Sequence, residues 1–209
     1  MKRVAVLGSG RGSNLAALVT AQVALQSYRV VLVLSNVPGC GALGVAAREG
    51  IESVCVPNKG VPRDVHEETM AAAIRDRAID VLCLAGYMRI VGAEFISKVD
   101  IPILNVHPSL LPSFPGLKAQ KQAIEAGVRW SGATVHFVDS GLDSGPIILQ
   151  EPVKVEYGDT EEGLSARILA TEHTLYPRAL DIVALNRFEI FGRSVRVFDD
   201  PRPEPPPGA

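Results

Sequence analysis

The sequence predicts an α/β protein with a Rossmann-like, doubly wound and mostly parallel sheet that carries an antiparallel hairpin at its C-terminal side. Two observations lead to this prediction. Over residues 1–100, short apolar runs alternate with helical stretches, as they do in parallel βαβ units. After residue 130, two strand-like runs follow each other across a short loop rich in Gly, Asp and Ser, which is typical of an antiparallel hairpin.

The first half contains five short apolar runs that predict buried strands, separated by stretches with helical periodicity. The predicted strands are 3–7, 29–34, 53–56, 80–85 and 103–106, and the predicted helices are 15–25, 41–49, 63–77 and 92–98. Prolines between 108 and 115 exclude a helix directly after the fifth strand. These elements account for the parallel part of the sheet.

The second half begins with a helix at 118–126, and strands 131–138 and 146–155 then form the predicted hairpin. The first of these strands alternates as a half-buried strand does, with Thr134, His136 and Val138 on one face and Val135 and Phe137 on the other. A long helix at 160–186 follows, with a kinking proline inside it, and a closing hairpin at 188–191 and 195–198 completes the domain.

Length and composition indicate one domain over residues 1–200, followed by a disordered Pro-rich tail at 201–209. With a net charge of −2 and no basic cluster, neither nucleic acid nor a membrane is expected as partner. The three cysteines show no CxxC spacing, and no cluster of metal ligands is visible. We therefore expect no metal and a cytoplasmic location.

A glycine-rich turn follows the first strand, at Gly8–Asn14, and leads into a helix. Backbone N–H groups and a helix N-terminus converge on one anion in such a turn. The glycines have the spacing GxGxG rather than GxGxxG, and the second strand ends in Ser35–Asn36 without a ribose-binding acid, which argues against a dinucleotide. A monophosphate fits better, and the alternative is a tight turn that binds nothing.

The stretch 103–115 places a carboxamide and an imidazole, Asn105 and His107, two residues apart on a predicted strand. Both side chains then lie on one face, with Val106 on the other. A neutral donor beside a donor that can carry a proton is suited to stabilising a developing oxyanion. The alternative is that Asn105 caps a turn and that His107 is a hydrogen-bonded core residue.

Two further loops are candidate parts of the site. Asp143 lies in the hairpin loop, either as a turn residue or as the partner of His107, where a carboxylate would favour the cationic imidazole. The apolar residues around Arg89 would suit a flat apolar ligand that also carries a polar or anionic group, or would pack on the core as a turn that enters the next helix.

Five motifs resemble those of the phosphoribosylglycinamide formyltransferases, a branch of the formyltransferase superfamily. The motifs are GSGRGSNL at 8–15, AGYMRI at 85–90, LNVHPSLLPSFPG at 104–116, GATVHFVDSGLDSGPIILQ at 132–150 and TEHTLYP at 171–177. The third and fourth mark the superfamily, and the first and last point to this branch. The resemblance covers nearly the whole chain and implies the formyltransferase fold, with a phosphate-binding half at 1–100 and a folate-binding, catalytic half at 101–200.

The resemblance also implies roles for individual residues. The catalytic group would be Asn105, His107 and Asp143, and the ribonucleotide would be bound by Gly12, Ser13, Asn14 and Glu172. The folate would be bound by Arg63, Met88, Arg89, Ile90, Val91, Asn105, Asp139, Ser140, Gly141, Leu142 and Asp143. Lys118 departs from the pattern, since many members have a histidine there.

The implied reaction transfers the formyl group of 10-formyltetrahydrofolate, as co-substrate, to the amine of glycinamide ribonucleotide in purine biosynthesis. We expect direct attack by the uncharged amine and no covalent acyl-enzyme, because no serine or cysteine stands next to a base. Alternatives are formyltetrahydrofolate deformylase, methionyl-tRNA formyltransferase, a non-catalytic folate- or nucleotide-binding module and a nicotinamide-dependent dehydrogenase. The sequence leaves monomer and homodimer equally open.

Overall fold

Nine strands in the described part of the chain form one sheet. The computed structural model describes residues 1–89 and 91–198, so the predicted folate residue Ile90 and the predicted tail at 201–209 lie outside the described residues. The strands are β1 Lys2–Leu7, β2 Tyr28–Ser35, β3 Glu52–Cys55, β4 Val81–Leu84, β5 Ile103–His107, β6 Trp130–Phe137, β7 Ile147–Lys154, β8 Phe188–Phe191 and β9 Ser194–Val197. Their order in the sheet is β3-β2-β1-β4-β5-β6-β7-β9-β8.

The direction of the strands confirms the predicted mixed sheet. Strands β1 to β5 pair in parallel, as expected for βαβ units. Strand β6 pairs antiparallel with both β5 and β7. The hairpin of β8 and β9 lies beyond β7 and forms the edge of the sheet on this side.

Six helices cover the two faces of the sheet. They are α1 Ser13–Leu25, α2 Gly41–Arg48, α3 Arg63–Arg75, α4 Ala93–Val99, α5 Ala119–Glu125 and α6 Glu161–Ala184. One core contains residues of α1, α2, α5 and α6, and we call that side of the sheet the α6 face. The other contains residues of α3 and α4 and is called the α3 face. Helix α6 continues through Pro177, and no described helix is long and apolar enough to span a bilayer.

The side chains of β5 divide between the two faces. Leu104 and Val106 belong to the core of the α6 face, and Ile103 belongs to that of the α3 face. Since side chains alternate along a strand, Asn105 and His107 project from the α3 face, as the sequence predicted. The C-terminal end of the strand therefore presents an apolar side chain on one face and two polar side chains on the other.

Strand β6 corrects one expectation, because it is buried on both faces rather than half-buried. The alternation itself is confirmed, since Val135 and Phe137 pack in the core of the α6 face. The Thr134 hydroxyl, on the α3 face, donates to the Ser109 carbonyl at 2.7 Å and accepts from the Leu111 N–H at 3.1 Å. Thr134 is thus covered by the loop after β5, which strand periodicity does not reveal.

The hydroxyl of Tyr176 joins α6 to the centre of the sheet. It is fully buried and lies 2.9 Å from the Leu84 carbonyl and 3.0 Å from the Leu104 carbonyl. Removing it would leave two buried acceptors without this donor, which typically costs about 1–3 kcal/mol.

We therefore expect Tyr176→Phe to lower the free energy of unfolding in urea by about 1–3 kcal/mol. The matched control is Tyr157→Phe, because Tyr157 is fully exposed and removal of its hydroxyl should hardly change the free energy of unfolding. Equal stability of the two variants would show that the Tyr176 hydroxyl does not stabilise the junction.

Candidate active site

The glycine-rich turn connects β1 to α1, which begins at Ser13. Gly12 has a φ of 80°, and a Cβ on it would lie 2.8 Å from the Ala42 Cα, so only glycine fits there. The Ala42 N–H donates to the Gly10 carbonyl at 3.1 Å, which holds the turn against α2. No side chain caps α1, so its first N–H groups remain available to an anion, as the phosphate prediction requires.

A cleft of about 770 Å³ opens at this turn. Residues 10–14 form one wall, and residues of α6 form the opposite wall. Between them lie the ends of the central strands, represented by Gly86, Val106 and Pro108. The cleft therefore lies outside the carboxyl ends of parallel strands, where ligands bind in open α/β sheets.

Two predicted ribonucleotide residues meet in this cleft. The Asn14 side-chain N–H donates to Glu172 Oε2 at 2.7 Å, although the two residues are far apart in sequence. Glu172 is buried, and this burial raises the pKa of its carboxyl, against a smaller lowering by the bond from Asn14. The Asn14 side-chain oxygen is buried without a protein partner. The pair therefore offers a free acceptor that would suit a ligand hydroxyl or amide N–H.

The three predicted catalytic side chains lie together at the end of β5. His107 Nδ1 is 3.3 Å from Asp143 Oδ2, and Asn105 Nδ2 is 3.5 Å from Asp143 Oδ1. His107 is buried, and the side chain of Asp143 is only 12% exposed. Asp143 has a φ of 48°, so the same residue is both the turn residue and the histidine's partner that the sequence left as alternatives.

Both ring nitrogens of His107 have partners. Nε2 is 2.8 Å from the Phe114 carbonyl, which can only accept, so Nε2 carries a hydrogen. A neutral ring would then place the Nδ1 lone pair against the Asp143 carboxylate, whereas a doubly protonated ring donates to both oxygens. Donation by His107 to a substrate oxygen requires the substrate to replace one of these two partners.

His136, which the sequence placed on the same face of its strand as Thr134, also belongs to this group. It lies directly opposite Asn105 in the ladder of β5 and β6, and its Nε2 is 3.3 Å from Asn105 Nδ2. Its Nδ1 lies 2.8 Å from the Phe137 carbonyl and therefore carries the hydrogen. Burial lowers the pKa of His136, which keeps the ring neutral and makes Nε2 an acceptor. His136 thereby fixes which end of the Asn105 amide faces the site.

The antiparallel partner of Asn105 could have been found from the sequence. Once β5 and β6 are paired, residues on the same face of each strand lie opposite one another. Thr134 pairs with His107 in the same way. The missing information was the register, which neither strand specifies alone.

The loop after β5 closes over the catalytic group. Besides the Phe114 carbonyl, it contributes the Gly116 N–H, which donates to Asp143 Oδ2 at 2.8 Å. Neither contact was predicted, since both come from backbone groups that have no sequence signal. The hairpin loop is held separately, by bonds from the Ser144 hydroxyl and the Gly141 N–H to Asp139 Oδ1.

The predicted folate residues fall into three environments. Met88 and Leu142 are 68% and 54% exposed, and Ser140 and Gly141 are exposed as well, so these residues are accessible to a ligand. Val91 is 6% exposed and packs in the core of the α3 face, as the alternative for this segment allowed. Arg89 is half-buried.

Arg63, predicted to bind the folate, and Lys118, which departs from the family pattern, stand at the starts of α3 and α5. Arg63 forms an ion pair with Glu67 and does not line the cleft described above. Lys118 is exposed, has a φ of 59° and directly precedes α5. Within residues 1–89 and 91–198, no group of three or more His, Cys, Asp or Glu side chains is placed to hold a metal ion.

Comparisons with known proteins identify the family of this chain. Residues 2–180 match the formyl transferase family. The chain is 46% identical over 187 residues to the trifunctional purine biosynthetic protein adenosine-3 of Drosophila pseudoobscura pseudoobscura, but the match covers 88% of this chain and only 14% of that protein. It is 40% identical over 193 residues to phosphoribosylglycinamide formyltransferase of Mycobacterium tuberculosis (strain CDC 1551 / Oshkosh), covering 92% of this chain and 89% of the relative.

A solved structure shows the same fold. Glycinamide ribonucleotide transformylase 1 from Symbiobacterium toebii superposes with a TM-score of 0.92 at 43% identity, and the match covers 95% of each chain. Together with the family match and the near full-length bacterial relative, this establishes the family. The chain belongs to the formyl transferase family, in its phosphoribosylglycinamide formyltransferase branch.

Proposed function

We propose that this chain transfers the formyl group of 10-formyltetrahydrofolate to the amine of glycinamide ribonucleotide, a step of purine biosynthesis. The observation that carries the proposal is the contact of Asp143 with His107 and Asn105 at the end of β5, next to a cleft that begins at an uncapped helix N-terminus. Gly12, Ser13 and Asn14 would bind the phosphate, and Glu172 with Asn14 would bind the rest of the ribonucleotide. The enzyme would work in the cytoplasm on small molecules, as a monomer or a homodimer.

In the proposed mechanism, the uncharged amine attacks the formyl carbon directly. The oxyanion that forms would be held by Asn105 and by protonated His107. One N–H of the Asn105 amide is directed to His136. The amide nitrogen lies at a long 3.5 Å from Asp143 Oδ1, so the second N–H can donate its hydrogen bond to the oxyanion instead. Donors fixed before the reaction stabilise such an intermediate more than mobile water does.

Proton transfer would be the task of Asp143. Its carboxylate keeps His107 cationic, and it would position a water that carries the amine proton to the leaving nitrogen of the folate. The folate would lie between the 86–92 segment and the hairpin loop. The thiol of Cys83 is excluded as a nucleophile, because it is fully buried and this burial raises its pKa to about 12. The transfer is therefore expected to proceed without an acyl-enzyme.

The function is tested by supplying 10-formyltetrahydrofolate with and without glycinamide ribonucleotide and following tetrahydrofolate by absorbance. We expect release only when the amine substrate is present, with the formylated ribonucleotide formed in equal amount. Release without the amine would indicate a deformylase. No release in either case, with folate still bound, would indicate a binding module, and a thermal shift with dinucleotides instead would indicate a dehydrogenase.

Asp143→Asn should lower kcat by about 10²–10⁴-fold, because it removes the charge opposite His107, while the KM values change little. Steady-state rates over a range of pH would measure this, and the acidic limb of the profile should shift. Asp100→Asn is the matched control, since Asp100 is exposed and adjoins β5 only through the chain. Superimposable pH profiles of the Asp143 variant and the wild type would refute the pairing.

Glu172→Gln should change how stability depends on pH. Burial raises the pKa of Glu172 above its ordinary value of 4.5, so the folded state binds this proton more tightly than the unfolded chain does. The stability contributed by this carboxyl is therefore full below pH 4.5 and is lost as the pH rises through the raised pKa. Glutamine keeps the acceptor for Asn14 and does not titrate.

The free energy of unfolding of Glu172→Gln minus that of the wild type should thus increase between pH 4 and pH 8 in urea titrations. The same variant should bind glycinamide ribonucleotide more weakly, because a carboxylate is lost from the cleft. Glu125→Gln, at an exposed site, controls for the general effect of removing an acid. A difference that is constant with pH would show that Glu172 titrates normally.

A further inference from the structure

The 86–92 segment, which connects β4 to α4, is held at both ends by hydrogen bonds of its backbone. At its start, the Gly86 carbonyl accepts from the Ser9 N–H of the phosphate turn at 3.2 Å. At its end, the Gly92 N–H donates to Glu67 Oε1 on α3 at 3.3 Å. The predicted folate residues Met88, Arg89 and Val91 lie between these two attachments, so the attachments determine where the folate-binding segment runs.

Glu67 is an unusual residue for its position on α3. It shares a face of the helix with Met70, Ala71 and Ile74, which are all in the core of the α3 face. Its side chain is only 10% exposed, although it carries a carboxylate. A buried carboxylate is costly unless it is paired and hydrogen-bonded. Arg63 Nε, at 2.7 Å, and the Gly92 N–H supply those partners.

The ion pair lies directly against the backbone of Gly92. A Cβ on Gly92 would be 2.9 Å from Glu67 Oε2 and 3.0 Å from Arg63 Nη2, so a side chain at this position would displace the pair. The neighbouring residue on α3, His66, is also buried, with its Nε2 3.5 Å from the Tyr87 hydroxyl. Helix α3 therefore contacts the segment near both of its ends without itself lining the cleft.

We propose that Glu67, paired with Arg63, is a positioning residue for the folate co-substrate. Its carboxylate fixes the backbone of Gly92, the point at which the 86–92 segment ends. This inference rests on the proposed function, because the segment's ligand is taken to be the folate. It assigns Arg63 to the support of the folate site through Glu67.

The test compares Glu67→Ala with Glu67→Gln and Glu68→Ala. Alanine removes the acceptor for the Gly92 N–H, whereas glutamine keeps an acceptor oxygen and loses only the charge. Glu68 is the matched control, because this neighbouring acid pairs with Arg75 and Lys98 and not with the segment. Initial rates are measured with each substrate varied in turn, and tetrahydrofolate binding is measured by calorimetry.

We expect Glu67→Ala to raise the KM for 10-formyltetrahydrofolate and the Kd for tetrahydrofolate by about tenfold, as for the loss of a hydrogen bond to a charged group. The KM for glycinamide ribonucleotide should change less than about twofold, Glu67→Gln should recover most of the affinity for folate, and Glu68→Ala should match the wild type. A merely structural role would not separate the two substrates or be rescued by glutamine.

The proposal is overturned if folded Glu67→Ala binds folate as the wild type does, or if all kinetic constants worsen together. If Glu67→Ala does not fold, Glu67→Gln is tested alone and combined with Arg63→Met. If both of these variants bind tetrahydrofolate with the Kd of the wild type and of Glu68→Ala, the role of Glu67 is excluded. Failure of the proposed function gives a different result, since wild-type protein would then show no transfer or no tetrahydrofolate binding at all.

Discussion

The carboxylate of Asp143 joins separate parts of the chain at one point. It lies within 3.5 Å of side chains on β5, accepts a backbone N–H from the loop after β5, and has His136 of β6 at 3.8 Å. A carboxylate that is mostly buried requires such partners, and His107 Nδ1 at 3.3 Å and the Gly116 N–H at 2.8 Å are among them. The requirement to satisfy one buried charge thus holds the hairpin loop, the proline-rich loop and the strand end in the arrangement that the proposed chemistry needs.

The side chains of β5 point to two sides of the strand end. Val106 and Pro108 line the cleft that begins at the phosphate turn, whereas Asn105 and His107 project from the opposite face, towards the 86–92 segment and the hairpin loop. Met88 of the 86–92 segment lines the same cleft, so the two predicted binding regions adjoin at the carboxyl end of the strand. The bond between Ser9 and Gly86 connects the two sides through the backbone, so the phosphate turn and the folate segment share one support.

The parts of the fold that sequence reasoning found are those with a local cause. Apolar runs of four to eight residues, glycine-rich turns and helical periodicity predicted the strands and helices to within a few residues. The expectations that failed concern packing between elements. Strand β6 was expected to be half-buried, yet Thr134 is buried under the loop after β5, and the strand pattern does not contain that loop's position.

The sequence alone determined the mixed α/β sheet, the glycine-rich turn after β1 and the placement of Asn105 and His107 on one face, since each depends on the spacing of neighbouring residues. Only the tertiary structure decided that Asp143 meets His107, that His136 orients the Asn105 amide, and that Val91 and Glu67 are buried. These facts depend on strand register and on backbone groups such as the Phe114 carbonyl and the Gly116 N–H, which every residue possesses and which become specific only when distant segments are brought into contact.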